Sequence, residues 1–219
     1  RRKLLGAGCD PARLHVVGHP DLAARYTAGA AGKAQLDAEL PPQAQGKKLA
    51  LMFLGHATIN EQLPMADIWR GMEESPYFVV GRIHQLASLP DIEKLRALFT
   101  ACPGQAWLSP NTLPLAHHWR LMAAAEVMLV VGCSTVTAEW AWSGKPMGRI
   151  PTAGMLRDFG AEGVMVACDS APIAEALTMT MTQWPNYREQ AARFVEDELG
   201  KRSNGAGEIA AKILQQEGR

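Results

Sequence analysis

The chain of 219 residues is long enough for one large domain or for one domain with an appendage. Its residues are 47% hydrophobic and 20% charged, which excludes a disordered tail and indicates a chain that folds around a core. Lys+Arg and Asp+Glu both number 22, and this zero net charge argues against a generally basic nucleic-acid-binding protein, although it is compatible with a local basic patch.

Apolar runs of strand length alternate with helix-like segments through the first half of the chain. The segment 14–20 is a predicted strand, and the Ala-rich segment after it is partly helical up to a loop marked by Pro41, Pro42 and Gly46. The next predicted elements, in order, are a strand at 48–56, a helix at 59–74, a strand at 77–84, a helix at 91–102 and a strand at 106–110.

The same alternation continues through the second half. The predicted elements are a helix at 113–125, a strand at 126–132, a helix at about 135–143, a strand at 146–150, a helix at 155–160, a strand at 163–168, and helices at 171–183, 186–199 and 205–216. Because most strands are apolar throughout, the pattern predicts an α/β fold, a Rossmann-like parallel sheet of about six strands with helices on both faces. No run approaches the roughly 20 apolar residues that a membrane span needs.

Polar residues follow the predicted strands at the edge where parallel α/β sheets bind ligands. His56 comes after the apolar residues 48–54, Arg82 and His84 end the strand at 77–84, and Ser109 comes after residues 106–108. A cation at Arg82 or His84 could neutralise a diphosphate or stabilise a leaving nucleotide, which makes these two the candidate catalytic residues. The alternatives are a solvent-exposed turn for Arg82 and His84, and a locally satisfied side chain for His56.

The stretch VVGCSTVTAEWAWSGKP, residues 130–146, gives the most specific site prediction. Ser134 and Thr135 fall at the expected start of a helix, where free backbone N–H groups and the helix dipole favour a phosphate. Gly132 lets the backbone come close to that phosphate. Glu139 lies one helical turn beyond Thr135 on the same face, where a carboxylate can accept the hydroxyls of a ribose. The alternative is ordinary capping by Ser134, with Glu139 a surface residue.

Histidine and cysteine patterns give no metal site. His117 and His118 are adjacent, so they point to different helix faces and make a poor pair of ligands. The four cysteines, Cys9, Cys102, Cys133 and Cys168, have no metal-binding spacing and favour free thiols in a reducing cytosol. We therefore expect no metal, no cofactor and a cytoplasmic location.

The segment GCSTVTAEWAWSGKP is similar to a motif in the C-terminal, nucleotide-binding domain of GT-B nucleotide-sugar enzymes. This group includes bacterial glycosyltransferases, UDP-N-acetylglucosamine 2-epimerases and glycerophosphotransferases. Three further stretches resemble the group in the same order, LLGAGCDPARLHVVGHPDL, VVGRIHQ and RFVEDELGKRSNGAGEIAAKILQQ, so that the resemblance spans most of the chain. The chain departs from the pattern at Gln85, where a proline is usual, and at Trp140, where an alanine is usual.

The resemblance implies the donor-binding half of a glycosyltransferase that uses a nucleotide-activated sugar, of UDP type, in cell-envelope or polysaccharide synthesis. An N-terminal acceptor domain absent from this chain would supply the general base and any peripheral contact with a membrane. The expected partner is thus a nucleotide sugar and not a nucleic acid. Nucleotide-sugar 2-epimerase or hydrolase chemistry in the same pocket, and a non-catalytic nucleotide- or partner-binding module, are the alternatives.

The expected organisation is a junction segment at 1–46, a nucleotide-binding domain at 47–185 and C-terminal helices at 186–219. The opening residues lack an initiating Met and resemble the junction between the two halves of the GT-B group. We therefore expect the chain to be a piece of a longer protein.

Overall fold

The computed structural model describes residues 21–54, 67–83, 87, 89–110, 112–131, 136–150, 162–168 and 172–199. Several predicted elements lie outside these residues, namely the strand at 14–20, the helices at 155–160 and 205–216, and the first part of the helix at 59–74. The described part of that last segment contains turns and a short 3-10 helix, Met72–Glu74, preceded by Gly71 at φ 77°. A left-handed residue at that point is incompatible with a continuing α-helix, so this helix prediction is wrong for the described residues.

Strands and helices alternate through the described chain as the apolar pattern predicts. The strands are β1 Lys48–Leu54, β2 Tyr77–Ile83, β3 Ala106–Leu108, β4 Val127–Val131, β5 Met147–Ile150 and β6 Val166–Ala167. The helices are α1 Leu22–Ala31, α2 Lys33–Glu39, α3 Leu89–Thr100, α4 Leu115–Ala124, α5 Val136–Ser143 and α6 Ile173–Leu199. A second 3-10 helix, Pro42–Ala44, precedes β1.

Among the described residues, the six strands form one parallel sheet in the order β3-β2-β1-β4-β5-β6. β1 lies between β2 and β4, with Phe53 opposite Arg82 on one side and Leu54 opposite Val131 on the other. The strand order reverses between β1 and β4, and this switch point is where such sheets bind ligands. The predicted Rossmann-like α/β sheet of about six strands is confirmed.

Helices cover both faces of the sheet because its strands are apolar on both sides. Leu51 and Phe53 of β1 belong to one buried cluster, which also includes side chains of α1, α2, α4 and α5. Their neighbours Met52 and Leu54 belong to a second cluster, which includes Phe99 of α3. Alternate residues of one strand thus contact opposite helical layers, as a doubly covered sheet requires.

Helix α6 corrects the prediction of two separate helices at 171–183 and 186–199. It continues unbroken through Pro185, which lacks the N–H needed for the helical hydrogen bond to residue 181. The part before the proline buries Leu177 in the cluster containing Phe99, and the part after it buries Phe194 in the other cluster. Because both halves are packed, tertiary burial outweighs the roughly 3 kcal/mol that an interior proline costs. None of the described helices combines the length and apolar character needed to cross a membrane.

Candidate functional site

Arg82 lies at the carboxyl end of β2, at the edge of the sheet that the sequence marks as the ligand side. Its Nη1 donates to Ser109 Oγ at 3.2 Å and to the carbonyl oxygen of Pro110 at 3.3 Å. Its Nε is buried without a hydrogen-bond partner among the described residues. Burial lowers the pKa of Arg82 from its ordinary value, although a guanidinium keeps its charge in proteins. The structure therefore holds a desolvated cation across the ends of β2 and β3.

Ser109 connects this cation to a buried histidine and a glutamate. Ser109 Oγ lies 3.0 Å from His117 Nε2, and His117 Nδ1 lies 2.6 Å from Glu39 Oε2. The other oxygen of Glu39 accepts a hydrogen bond from Arg120 at 2.6 Å. Ser109 is 1% exposed and His117 is 0% exposed, so these two side chains have no access to bulk water. The network joins α2, the start of α4 and the ligand edge of the sheet.

The protonation states in this network follow from its surroundings. Burial alone would raise the pKa of Glu39, but the hydrogen bonds and charges of His117 and Arg120 outweigh it and lower that pKa. Burial lowers the pKa of His117, and Glu39, which would raise it, does not offset this. At neutral pH Glu39 is thus ionised and His117 is neutral. The carboxylate can only accept, which places the His117 proton on Nδ1 and leaves Nε2 to accept from the Ser109 hydroxyl.

Glu139 lies in the first turn of α5, the helix that follows β4. Its Oε2 is 3.6 Å from His118 Nε2, and its backbone carbonyl accepts a hydrogen bond from the Tyr26 hydroxyl at 3.0 Å. The side chain of Glu139 is 30% exposed, while that of His118 is 9% exposed. Glu139 is therefore held in place by His118 and Tyr26, and part of its side chain stays exposed to solvent.

His117 and His118 have different partners, as their adjacency predicts. His117 contacts Ser109 and Glu39, whereas His118 contacts Glu139 and lies edge-on to the rings of Phe53 and Trp119. Within the described ranges, no group of three or more metal-ligating side chains comes together. Of the cysteines, Cys102 and Cys168 are free thiols, and Cys9 and Cys133 lie outside the described residues.

The Gly-Lys-Pro that ends α5 fixes this helix to the end of α4. Gly144 has φ 75°, and Lys145 Nζ donates to the carbonyl oxygens of Met122, Ala123 and Ala125 at 3.1, 2.6 and 2.8 Å. These are carbonyls of the kind that a helix C-terminus leaves unpaired. Trp140 is fully buried and donates through Nε1 to the carbonyl of Pro146 at 3.0 Å.

Five predicted site residues lie outside the described part of the chain, namely His56, His84, Gly132, Ser134 and Thr135. Their roles stay predictions. The next hydroxyl along the chain, Thr137 in the first turn of α5, is fully buried, and its Oγ1 has no hydrogen-bond partner among the residues described. Sequence reasoning did not single out Thr137, Glu39 or Arg120. Only Thr137 has a visible signal, its place in the Ser-Thr-x-Thr segment.

A cavity of about 640 Å³ lies at the opposite edge of the sheet and is a weaker candidate for a ligand-binding site. It is lined by residues near the amino ends of β1 and β4, including Lys33, Asp37, Lys48 and Glu126. Lys33 already pairs with Asp37 at 2.7 Å, and Lys48 already pairs with Glu126 at 3.0 Å. Lys47 also lines the cavity and donates to the Gly104 carbonyl and to Gln105 Oε1, so the charged side chains of the cavity already have partners within the protein.

Comparison with solved structures gives matches to UDP-GlcNAc 2-epimerases and to glycosyltransferases. UDP-GlcNAc 2-epimerase from Neisseria meningitidis, bound to UDP-GlcNAc, matches with a TM-score of 0.63 and 17% identity over 98% of this chain and 58% of that one. The wall teichoic acid polymerase TagF matches with a TM-score of 0.60 and 14% identity over 95% of this chain and 51% of that one. A C-terminal domain of a group 1 glycosyl transferase from Francisella tularensis matches with a TM-score of 0.51 and 14% identity over 75% of this chain and 89% of that one.

These matches concern the fold, because the identities are low. No family model matches the sequence, and a search of curated proteins found no match. The chain spans between half and two thirds of the length of the epimerase and of TagF, but it corresponds in size to the isolated C-terminal domain. The chain therefore has the Rossmann-like fold of the C-terminal half of GT-B nucleotide-sugar enzymes, as the sequence resemblance predicts.

Proposed function

We propose that this chain is the donor-binding half of a GT-B glycosyltransferase that uses a nucleotide-activated sugar, of UDP type, in cell-envelope or polysaccharide synthesis. The placement of Glu139 carries the proposal. It follows β4 at the switch point of the sheet, it is held by contacts with Tyr26 and His118, and its carboxylate keeps an open surface. A partly open carboxylate at this point suits the paired hydroxyls of a ribose.

The phosphates of the donor would lie between Glu139 and Arg82. Ser134 and Thr135 would donate backbone and hydroxyl hydrogens to them at the start of α5, with Gly132 allowing a close approach. Arg82, which lies on the strand next to β1, would offset the diphosphate charge together with His84, and His56 is a further candidate. The buried Nε of Arg82 supports this role, because a bound anion would supply the hydrogen-bond acceptor that the described residues lack.

In the proposed reaction, the bond between the anomeric carbon of the sugar and the β-phosphate oxygen breaks, and the nucleoside diphosphate leaves with the bonding electron pair. Arg82 and His84 would stabilise the negative charge that develops on the leaving phosphate, as would the dipole of α5. The acceptor hydroxyl would attack the anomeric carbon, and a general base of the N-terminal domain would take its proton. The present chain would then bind donor but not complete the transfer.

Nucleotide-sugar 2-epimerase or hydrolase chemistry is the second candidate. It is favoured by the structural similarity to UDP-GlcNAc 2-epimerases, three of which match at least 98% of this chain. Because the same donor pocket would serve either reaction, the described residues do not distinguish between them.

Calorimetric titration of UDP, CDP, GDP and UDP-GlcNAc into the chain tests the proposal. We expect micromolar to millimolar binding of one nucleotide type, and weaker binding by Glu139→Ala. Glu189→Ala is the matched control, because Glu189 is 79% exposed on α6 and pairs with Arg193 four residues away. Absence of binding by every nucleotide would instead indicate a partner-binding module. Turnover of UDP-GlcNAc without an acceptor would assign epimerase or hydrolase chemistry.

A further inference from the structure

The side chains of Arg82, Ser109, His117 and Glu39 form a continuous hydrogen-bonded chain, of which the donor-binding proposal uses only Arg82. We propose that Ser109, His117 and Glu39 are a positioning relay, which orients the Arg82 guanidinium toward an anion at the carboxyl edge of the sheet and requires a neutral His117. This inference rests on the proposed function, because it takes the diphosphate of the donor as the anion that Arg82 meets.

The hydrogen bonds of the relay run in one direction. Glu39 can only accept, so it fixes the proton of His117 on Nδ1 across a 2.6 Å contact. Nε2 is then an acceptor for the Ser109 hydroxyl at 3.0 Å. With its hydrogen used in this way, the Ser109 oxygen presents only lone pairs to Arg82 Nη1 at 3.2 Å. The position of one proton on His117 therefore decides whether Ser109 can hold the guanidinium.

Arg120 anchors the far end of the relay. It donates to the second oxygen of Glu39 and, at 3.2 Å, to Gln35 Oε1. Glu39 and Gln35 both lie on α2, whereas Arg120 and His117 lie on α4. The carboxylate is thus fixed between two helices, which is the support that a precisely placed polar site needs.

Serine, histidine and glutamate in this order also form the nucleophilic triads of hydrolases. That role does not fit here, because Ser109 is 1% exposed and its oxygen is already in contact with Arg82. An acyl group could not reach it. Arg82, by contrast, is only partly buried, so part of its side chain remains open to a ligand. The end of the relay that remains available for a ligand is therefore the guanidinium.

Protonation of His117 at low pH should break the hydrogen bond that orients Ser109. A second proton on His117 Nε2 would turn that atom into a donor, and the Ser109 hydroxyl would lose its acceptor. The charged groups that face His117 are Glu39 from α2, Arg82 from β2 and Arg120 from its own helix, so the protonated ring would also repel Arg82. Because burial lowers the pKa of His117 from its ordinary value of 6.5, donor binding should weaken as the pH falls through that lowered pKa.

The experiment measures the affinity for UDP-GlcNAc between pH 5.5 and pH 8 in the wild type, Ser109→Ala and His117→Gln. This ligand is a phosphodiester and does not itself titrate in that range. We expect Ser109→Ala to lose about tenfold in affinity at pH 7.5, the usual effect of one hydrogen bond to a charged group. We expect His117→Gln to remove the acid-side loss that the wild type shows. Thr100→Ala, which deletes an exposed hydroxyl on α3, is the control for hydroxyl removal and should change nothing.

The outcomes separate the relay from the proposed function. Unchanged affinity and an unchanged pH profile in both variants, with the wild type binding normally, would overturn the relay alone. Absence of binding by the wild type would overturn both. Nitrogen-15 NMR of His117 in the wild type provides a test that no variant's folding can obscure: we expect a neutral ring protonated on Nδ1 at pH 7.5. A ring protonated on Nε2, or labelling of Ser109 by a fluorophosphonate, would contradict the relay.

Discussion

Glu139 Oε2 and His118 Nε2 lie 3.6 Å apart. His118 belongs to α4, which precedes β4 in the chain, and Glu139 belongs to α5, which follows it. This separation is too long for a hydrogen bond but suits an ion pair when His118 is protonated. The neighbouring residue, His117, reaches the Ser109 and Glu39 network instead. A single turn of α4 thus contacts both candidate donor-binding groups, Glu139 directly and Arg82 through Ser109.

Glu139→Gln should weaken UDP binding by about tenfold if the carboxylate accepts ribose hydroxyls, because a hydrogen bond to a charged acceptor is worth roughly 1.5–3 kcal/mol. The sharper comparison uses 2′,3′-dideoxy-UDP, which lacks those hydroxyls. It should bind wild type and Glu139→Gln with equal affinity by calorimetry. An equal loss for UDP and the dideoxy analogue would show that the substitution acts on the fold and not on a ribose contact.

Protein stability should fall as the pH decreases from 7.5 to 5.5, because the folded-state pKa of His117 lies below its ordinary value of 6.5. Between the two pKa values the unfolded chain binds the proton and the folded chain does not, so acid favours unfolding. Glu39 adds a second loss below its ordinary pKa of 4.5, since its folded-state pKa is also lowered. Urea unfolding at pH 7.5, 6.5 and 5.5 measures the effect.

His117→Gln should flatten the dependence between pH 7.5 and 5.5 and reduce the loss below pH 4.5, because His117 is the first of the groups that lower the pKa of Glu39. The variant removes the titrating ring but keeps Glu39 next to Arg120. An unaltered slope in this variant would assign the pH dependence to another group.

The sheet could be predicted from the sequence because its signal is local. β1, β2 and β4 are continuous apolar runs, which predict strands buried on both faces, and the observed bounds differ from the prediction by no more than two residues. The position of Glu139 in the first turn of α5 could be predicted because it stands at a fixed distance from the end of β4, while its role in binding stays a prediction. Resemblance to the GT-B group, which the solved structures support for the fold, adds to the same local motifs.

The relay could not be predicted because it depends on long-range packing. Glu39 and His117 lie 78 residues apart, and no spacing rule connects them. The sequence places Ser109 at the right edge of the sheet, but its partners depend on how α2 packs near α4. Pro185 is a second case in which long-range packing outweighs a local pattern. The proline predicts the end of a helix, but burial of Trp184 and Phe194 keeps the helix continuous.

Lys145→Met should destabilise the protein by about 2 kcal/mol, because it removes hydrogen bonds from a charged group to three backbone carbonyls at the end of α4. Burial lowers the pKa of Lys145, because removal from water disfavours the charged ammonium. Chemical denaturation gives the free energy of unfolding. Lys33→Met is the control, since Lys33 is 72% exposed and its pair with Asp37 should contribute less than about 0.5 kcal/mol. Similar losses in the two variants would refute the capping role.

Gly29→Ala should destabilise the protein, although alanine ordinarily stabilises a helix by about 1 kcal/mol relative to glycine. A Cβ at Gly29 of α1 would lie 2.3 Å from the backbone oxygen of Trp119, and backbone of α4 cannot rotate away. We expect a loss of about 2 kcal/mol from this overpacking, measured by chemical denaturation. Gly104→Ala is the matched control, because a Cβ there meets no atom within 4 Å.

Gly29→Ala should also weaken UDP binding at the candidate site. Helix α1 carries Tyr26, whose ring stacks on that of Trp142 with the ring centroids 5.2 Å apart. The Tyr26 hydroxyl donates a hydrogen bond to the backbone carbonyl of Glu139. If Gly29→Ala pushes α1 away from α4, it withdraws this support from α5, and UDP affinity should fall more than in Gly104→Ala. Reduced stability with full UDP affinity would show instead that Glu139 keeps its position without Tyr26, leaving His118 as its remaining described side-chain contact.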